Sequence, residues 1–144
     1  MKIVLQRVIG ASVSVNDEVV GKIGKGYLVL LGIGGEDTKE LVEKYVDKIS
    51  KLRLFEDEEG KTNLSIGDVE GEILVVSQFT LYADCKKNRP SFSKAAPPAM
   101  AEELYEYFLG YAQDKFKSVQ HGVFGEYMMV SLENDGPFTV ILGD

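Results

Sequence analysis

Apolar and polar positions alternate from the first residues onward. Lys2 to Val8 and Ala11 to Val15 alternate or run apolar and read as strands, with Asn16-Asp17 as a turn and Val19 to Ile23 as the return strand. After Gly24-Lys25-Gly26, the run Tyr27-Leu28-Val29-Leu30-Leu31 is continuously apolar, the signature of a strand buried on both faces. The period then changes. Leu41, Tyr45, Val46, Ile49 and Leu52 recur at helical spacing, and Asp37 with Glu40 three residues on is a candidate capping box for that helix. Glu56 to Gly60 is an acidic turn, and Ile73 to Val76 is a short buried strand leading into Ser77-Gln78-Phe79-Thr80.

The second helix starts at Pro97-Pro98, where a fixed φ and a missing N–H cost little. Leu104, Tyr105, Phe108, Tyr111 and Ala112 give it an apolar face, and the helix is expected to end or bend near Gly110. Strand patterning returns from Tyr127 to Leu132 and from Phe138 to Leu142, with Asn134-Asp135-Gly136-Pro137 between them read as a hairpin turn. Six or seven strands and two helices predict a mixed α+β domain spanning residues 1–144. In it the helices pack on one face of a curled sheet and the strands curl into a second layer; the uncovered sheet surface needs burial, and a homodimer is one simple way to provide it.

Composition narrows the functions. A chain of 144 residues is long enough for one core, and no apolar run reaches the length of a membrane span. The N-terminus has no signal-peptide pattern, so a cytoplasmic location is expected. The formal net charge of -7 opposes general nucleic-acid binding, so a nucleic-acid role needs a local basic patch. Lys86, Lys87, Arg89 and Lys94 supply one, with no acidic residue before Glu102; a solvated loop is the alternative.

The usual catalytic schemes find little support. His121 is the sole histidine and has no nucleophile elbow nearby, so a Ser-His-Asp triad is disfavoured. Cys85, the one cysteine, has no evident base, and no metal-ligand spacing occurs, so neither metal nor cofactor is expected. Gly32-Ile33-Gly34-Gly35 lacks the residues of a phosphate loop and reads as a strand-to-helix turn. Two segments remain. Ser77, Gln78 and Thr80 bring hydrogen-bonding groups to the end of a buried strand, where backbone N–H groups are held rigidly; capping of the strand end is the plainer alternative. In Asn134-Asp135-Gly136-Pro137-Phe138-Thr139 a proline follows glycine, and a cis peptide there would align neighbouring carbonyls toward an ammonium group.

Ser77-Gln78-Phe79-Thr80-Leu81 and Asn134-Asp135-Gly136-Pro137-Phe138-Thr139, in this order, resemble the two signature motifs of the D-aminoacyl-tRNA deacylase family. Gln6-Arg7-Val8, Arg89-Pro90-Ser91-Phe92 and Gly122-Val123-Phe124-Gly125 with Met128 also resemble it, so the likeness spans the chain. One departure is the absence of a glycine before Arg89-Pro90.

The resemblance implies the family's fold and hydrolysis of D-aminoacyl-tRNA, with glycyl-tRNA as a second substrate. It implies a homodimer with active sites at the subunit interface, where a cis Gly136-Pro137 enters the partner's site and excludes L-aminoacyl groups. Ser77, Gln78, Phe79 and Thr80 are the implied catalytic residues, with Phe79 and Thr80 N–H groups as oxyanion donors and Thr80 as either nucleophile or positioning group. Asn134, Gly136, Pro137 and Thr139 are implied to bind substrate, Arg7 to support their loop, and Lys86, Lys87, Arg89 and Lys94 to meet tRNA. Two rival readings stand beside this one. The first is a covalent acyl hydrolase acting on small esters through Thr80 or Ser77; the second is a non-enzymatic dimer that binds nucleic acid.

Overall fold

The computed structural model describes residues 1–143; the last residue of the expected 1–144 domain lies outside the described residues. Eight strands and two α-helices form, with one 3-10 turn: β1 (Lys2–Val15), β2 (Glu18–Ile23), β3 (Gly26–Gly32), α1 (Lys39–Lys51), β4 (Phe55–Glu56), β5 (Thr62–Leu64), β6 (Glu72–Ser77), the 3-10 turn Phe79–Tyr82, α2 (Pro98–Ala112), β7 (Val119–His121) and β8 (Met129–Gly143). The main sheet runs β2-β1-β3-β6-β7, with β8 also paired to β1. The β3–β6 and β6–β7 pairs are parallel and the rest antiparallel. The sheet is mixed and curls toward closure. At Gly21 of β2 an added Cβ would stand 2.7 Å from the His121 carbonyl of β7, at the far end of the strand order.

Alternation along the strands divides the apolar side chains between two cores. Ile3, Leu5, Tyr27, Val29, Leu31, Ile73 and Val75 face the helices, where Val42, Val46 and Ile49 of α1 and Leu104, Tyr105 and Phe108 of α2 meet them. Their neighbours Val8, Val13, Leu28, Leu74 and Val76 point into the curl and form a smaller cluster. The expected arrangement of helices on one face and a curled second layer is therefore present.

Several local expectations change. The two predicted N-terminal strands are one bent β1, which pairs β3 with its first half and β2 with its second. Asp37 does not cap α1. Thr38 does, its hydroxyl accepting from Leu41 N–H at 3.2 Å. Asp37 instead takes the N-terminal ammonium at 2.7 Å and Gly34 N–H at 2.7 Å. The buried face of α1 centres on Val42, with Leu41, Tyr45 and Leu52 at its margins. α2 does end near Gly110, closing two residues beyond it at Ala112, with the Gln113 N–H on the Gly110 carbonyl. The β4–β5 hairpin, too short to carry a period, was not legible as strands.

The largest change concerns Asn134 to Pro137. This segment is no hairpin turn: β8 is one strand that follows β1 throughout and carries a wide bulge. Gln6 faces Thr139 and Val8 faces Asn134, so Asp135, Gly136, Pro137 and Phe138 all lie opposite Arg7 alone.

Candidate active site

β6 is buried on both faces and ends at Ser77, level with Leu31 of β3. Gln78 N–H extends the ladder by one bond to the Leu31 carbonyl at 2.8 Å, and the chain then turns. Leu81 N–H closes on the Gln78 carbonyl at 3.2 Å and Ala83 N–H on that of Thr80 at 3.0 Å. A turn of this kind leaves its first N–H groups unbonded, and no side chain caps this one. Among the described residues the N–H groups of Phe79 and Thr80 therefore have no protein acceptor.

Beside the turn opens a cleft of about 730 Å³. Ser77, Gln78 and Phe79 form one wall, Phe92 and Pro97 a second, and Phe124, Tyr127 and Met128 a third. Phe79 and Phe92 meet edge to face at 5.1 Å between ring centres. Thr80 is not among the lining residues; its side chain is exposed, and its hydroxyl accepts from the Gln78 amide. The walls are apolar apart from Ser77, Gln78, Ser93 and Glu126, and Tyr127 is 85% exposed at the rim.

The bulge on β8 is fastened from below. Arg7 is only 6% exposed, and its Nε donates to the Asp135 carbonyl at 3.0 Å while Nη1 donates to the Leu54 carbonyl at 2.7 Å. Its guanidinium also stacks on Phe138, 4.6 Å from the ring centre. From within the bulge, Asn134 Oδ1 accepts from Phe138 N–H at 2.6 Å and Asn134 Nδ2 donates to Thr139 Oγ1 at 3.0 Å. Gly136, at φ +146, occupies backbone space that disfavours other residues, and the Gly136-Pro137 peptide is cis. Both residues are exposed. Tyr27 lies opposite Arg7 on β3 with its hydroxyl buried and unpartnered; burial raises its pKa, against the opposing pull of the Arg7 charge.

These two segments do not meet within one chain. Ser77 is level with Leu31 and so with Ile3, whereas the bulge is level with Arg7 and lies across β3 and β1 from β6. Strand rise and spacing put the two roughly 20 Å apart. The basic residues Lys86, Lys87 and Arg89 sit on the loop closed by the Asp84–Ser91 bridge, immediately before Phe92 reaches the cleft wall, with Lys94 just beyond. All four are exposed, and no ion pair holds them among the described residues. His121 lies outside the cleft, its Nδ1 2.6 Å from the Gly122 carbonyl, and Cys85 is an exposed free thiol. Among the described residues no His, Cys, Asp or Glu cluster could hold a metal, and no helix is long and apolar enough to cross a membrane.

The residue-by-residue reading missed the far walls of the cleft and the Leu54 carbonyl. Phe92, Phe124 and Met128 stood out only through the family likeness, and a backbone acceptor leaves no mark in a sequence.

A family model described as D-Tyr-tRNA(Tyr) deacylase matches residues 4–143. A D-aminoacyl-tRNA deacylase of Thermosipho melanesiensis is 52% identical over 144 residues, covering 99% of this chain and 96% of its own. One of Lactobacillus acidophilus is 54% identical over 143 residues, covering 99% of each. The solved structure of a c-Myc DNA unwinding element binding protein superposes with a TM-score of 0.94 at 46% identity, over 100% of this chain and 99% of that one. That of a probable eukaryotic D-amino acid tRNA deacylase gives 0.87 at 19% identity, over 98% and 97%, a likeness of fold alone.

Proposed function

The chain belongs to the D-Tyr-tRNA(Tyr) deacylase family, and from that premise we propose that residues 1–144 form one domain that hydrolyses the ester of D-aminoacyl-tRNA, and of glycyl-tRNA, in the cytoplasm. The observation that carries the reading is the pair of N–H groups at Phe79 and Thr80, held at the end of a buried strand beside an apolar cleft and free of any protein acceptor. Hydrolysis of an ester passes through a tetrahedral species whose carbonyl oxygen gains negative charge. Fixed N–H donors aimed at that oxygen stabilise it without reorganising during the reaction. Water attacks the carbonyl carbon with help from the neighbouring ribose hydroxyl of the substrate, and the ester oxygen leaves with the tRNA.

Thr80 acts as a positioning group rather than a nucleophile. Its hydroxyl is engaged by the Gln78 amide, stands outside the cleft wall, and has no base beside it. Ser77 and Gln78 shape the polar end of the cleft. The reading calls for no metal or cofactor.

Stereochemical choice comes from a second copy. In a homodimer the bulge of one subunit enters the cleft of the other, and the carbonyls around Gly136-Pro137 receive the substrate's α-ammonium group. With that group and the ester fixed, the side chain of a D-residue points outward, and that of an L-residue is driven into backbone. Glycine has nothing to reject. The distance between cleft and bulge in one chain supports this arrangement, as does the exposed apolar surface of Ile9, Val19, Met129 and Ile141. Asn134 and Thr139 stiffen the bulge and Arg7 anchors it. Lys86, Lys87, Arg89 and Lys94 meet tRNA phosphates beside the cleft.

The test is release of tyrosine from D-Tyr-tRNA and L-Tyr-tRNA by purified protein without added metal. Rapid release from the D-ester alone is expected. Equal release from both would discard the filter. Binding without release would favour a nucleic-acid-binding role of the kind named for the c-Myc DNA unwinding element relative. A trapped acyl-enzyme would favour the covalent hydrolase.

A further inference from the structure

The segment from β7 to β8 contains a glycine that no turn requires. Gly122 is buried, and its φ lies outside the region that excludes other residues, so its backbone alone would accept alanine. Space is what forbids a side chain. A Cβ built on Gly122 would stand 2.5 Å from Met128 Sδ and 3.6 Å from Met128 Cε, with Val13 at 3.7 Å.

Which partner would yield follows from the bonds around Gly122. Its N–H donates to the Val75 carbonyl at 3.0 Å, and its carbonyl accepts from the buried Tyr105 hydroxyl at 3.2 Å and lies 2.6 Å from His121 Nδ1. Backbone held this way cannot retreat. Met128 has three soft torsions and ends in a thioether that moves easily. Met128 also lines the cleft, together with Phe124 and Val130, while packing on the cluster inside the curled sheet. Any atom added at Gly122 therefore displaces the Met128 thioether, itself part of the cleft wall, from its seat.

We propose that Gly122 is a positioning residue for the active site: by carrying no side chain it lets Met128 seat against the sheet and so sets the width of the cleft that receives the acceptor end of the substrate. This inference rests on the deacylase reading for its kinetic consequence, and on the Gly122–Met128 contact alone for its structural one.

The experiment compares wild type, Gly122→Ala, Met128→Ala and the double variant. The kinetic measure is release from D-Tyr-tRNA, and the structural measure is the methyl resonances of 13C-labelled methionine without substrate. Gly122→Ala is expected to raise KM about tenfold, the scale of one methyl-sized intrusion into an apolar pocket, with kcat within about twofold because the oxyanion donors are untouched. The Met128 methyl resonance should move while those of the other methionines stay. In the Met128→Ala background the same glycine substitution should change nothing, since the clashing atoms are gone.

An unchanged KM and an unmoved methyl in Gly122→Ala overturn the proposal, as does a Gly122 effect that persists without the thioether. Should Gly122→Ala alone fail to fold, a folded double variant with the KM of Met128→Ala supports the contact, and an unfolded one overturns it. An inactive wild type would count against the deacylase reading, and the methyl shift would still decide the contact.

Discussion

Arg7→Ala removes the anchor of the β8 bulge, and the size of the loss can be worked from its contacts. The Leu54 carbonyl loses its bond at 2.7 Å from a side chain only 6% exposed, so water does not readily replace it. A charge-assisted bond in that setting is worth about 2 kcal/mol. The bond to the Asp135 carbonyl at 3.0 Å is partly open to water and counts for about 1 kcal/mol. The accompanying ion pair, at 3.5 Å with Asp135 44% exposed, adds next to nothing. Stacking on Phe138 contributes about 1 kcal/mol. Arg7→Ala should thus cost about 4 kcal/mol. Arg7→Lys should still cost about half of that, because one ammonium cannot reach two carbonyls served by different guanidinium nitrogens. Urea denaturation at one fixed protomer concentration measures both. A loss below about 1 kcal/mol for alanine, or a lysine variant as stable as wild type, would refute the anchoring argument.

Phe79→Pro removes one proposed donor at a position where a helical turn tolerates proline, so it should retain its fold yet fall about 100-fold below Phe79→Ala in kcat; equal rates for the two would acquit that N–H. Thr80→Ala should keep activity within about tenfold of wild type, as expected for a positioning group, whereas abolition of turnover would restore the nucleophile. Charge reversal at Lys86, Lys87 and Arg89 should weaken tRNA binding and reduce its salt slope by about 0.7–0.9 per lost phosphate contact, and an unchanged slope returns the loop to plain solvation. The Lys61 N–H, helped by the Glu59 N–H and the Asn63 amide, holds the Asp57 carboxyl below its usual range. The stabilisation of the β4–β5 hairpin is therefore present above the ordinary carboxylate pKa and lost as pH falls through the depressed one. Amide exchange in the hairpin should show that acid loss in wild type and not in Asp57→Asn; identical profiles would contradict it.

Where a segment has one dominant period, its structure was readable from the chain. β3 and β6 are continuous apolar runs, and both are buried on two faces. α2 begins at the proline pair and buries the face its spacing marks. The misreadings share a cause, a local signal answered by a distant partner. Asp37 has the chemistry of a cap but is drawn to the N-terminal ammonium and Gly34, leaving the cap to Thr38. Asp135-Gly136 is favourable turn chemistry, yet the strand continues, because β1 pairs with β8 on both sides and Arg7 fills the gap. Of the candidate site, Ser77, Gln78 and Thr80 could be found as polar groups at a strand end. The walls at Phe92, Phe124 and Met128 could not, since aromatic and methionine side chains far apart in sequence signal only burial until the fold brings them to one cleft.

The central claim is that each active site joins the Phe79 segment of one subunit to the Gly136 bulge of the other, and mixed dimers test it most directly. Phe79→Pro removes the donor at position 79 and leaves the bulge intact. Gly136→Ala disables the bulge, because its φ of +146 strains any side chain and the added Cβ would stand 2.8 Å from Phe138 N, while the donors remain. Each variant alone should be nearly inactive on D-Tyr-tRNA. After subunit exchange in equal amounts, half the dimers carry one intact site of two, so activity should return to about a quarter of wild type. A mixture no more active than its parents would contradict the shared site.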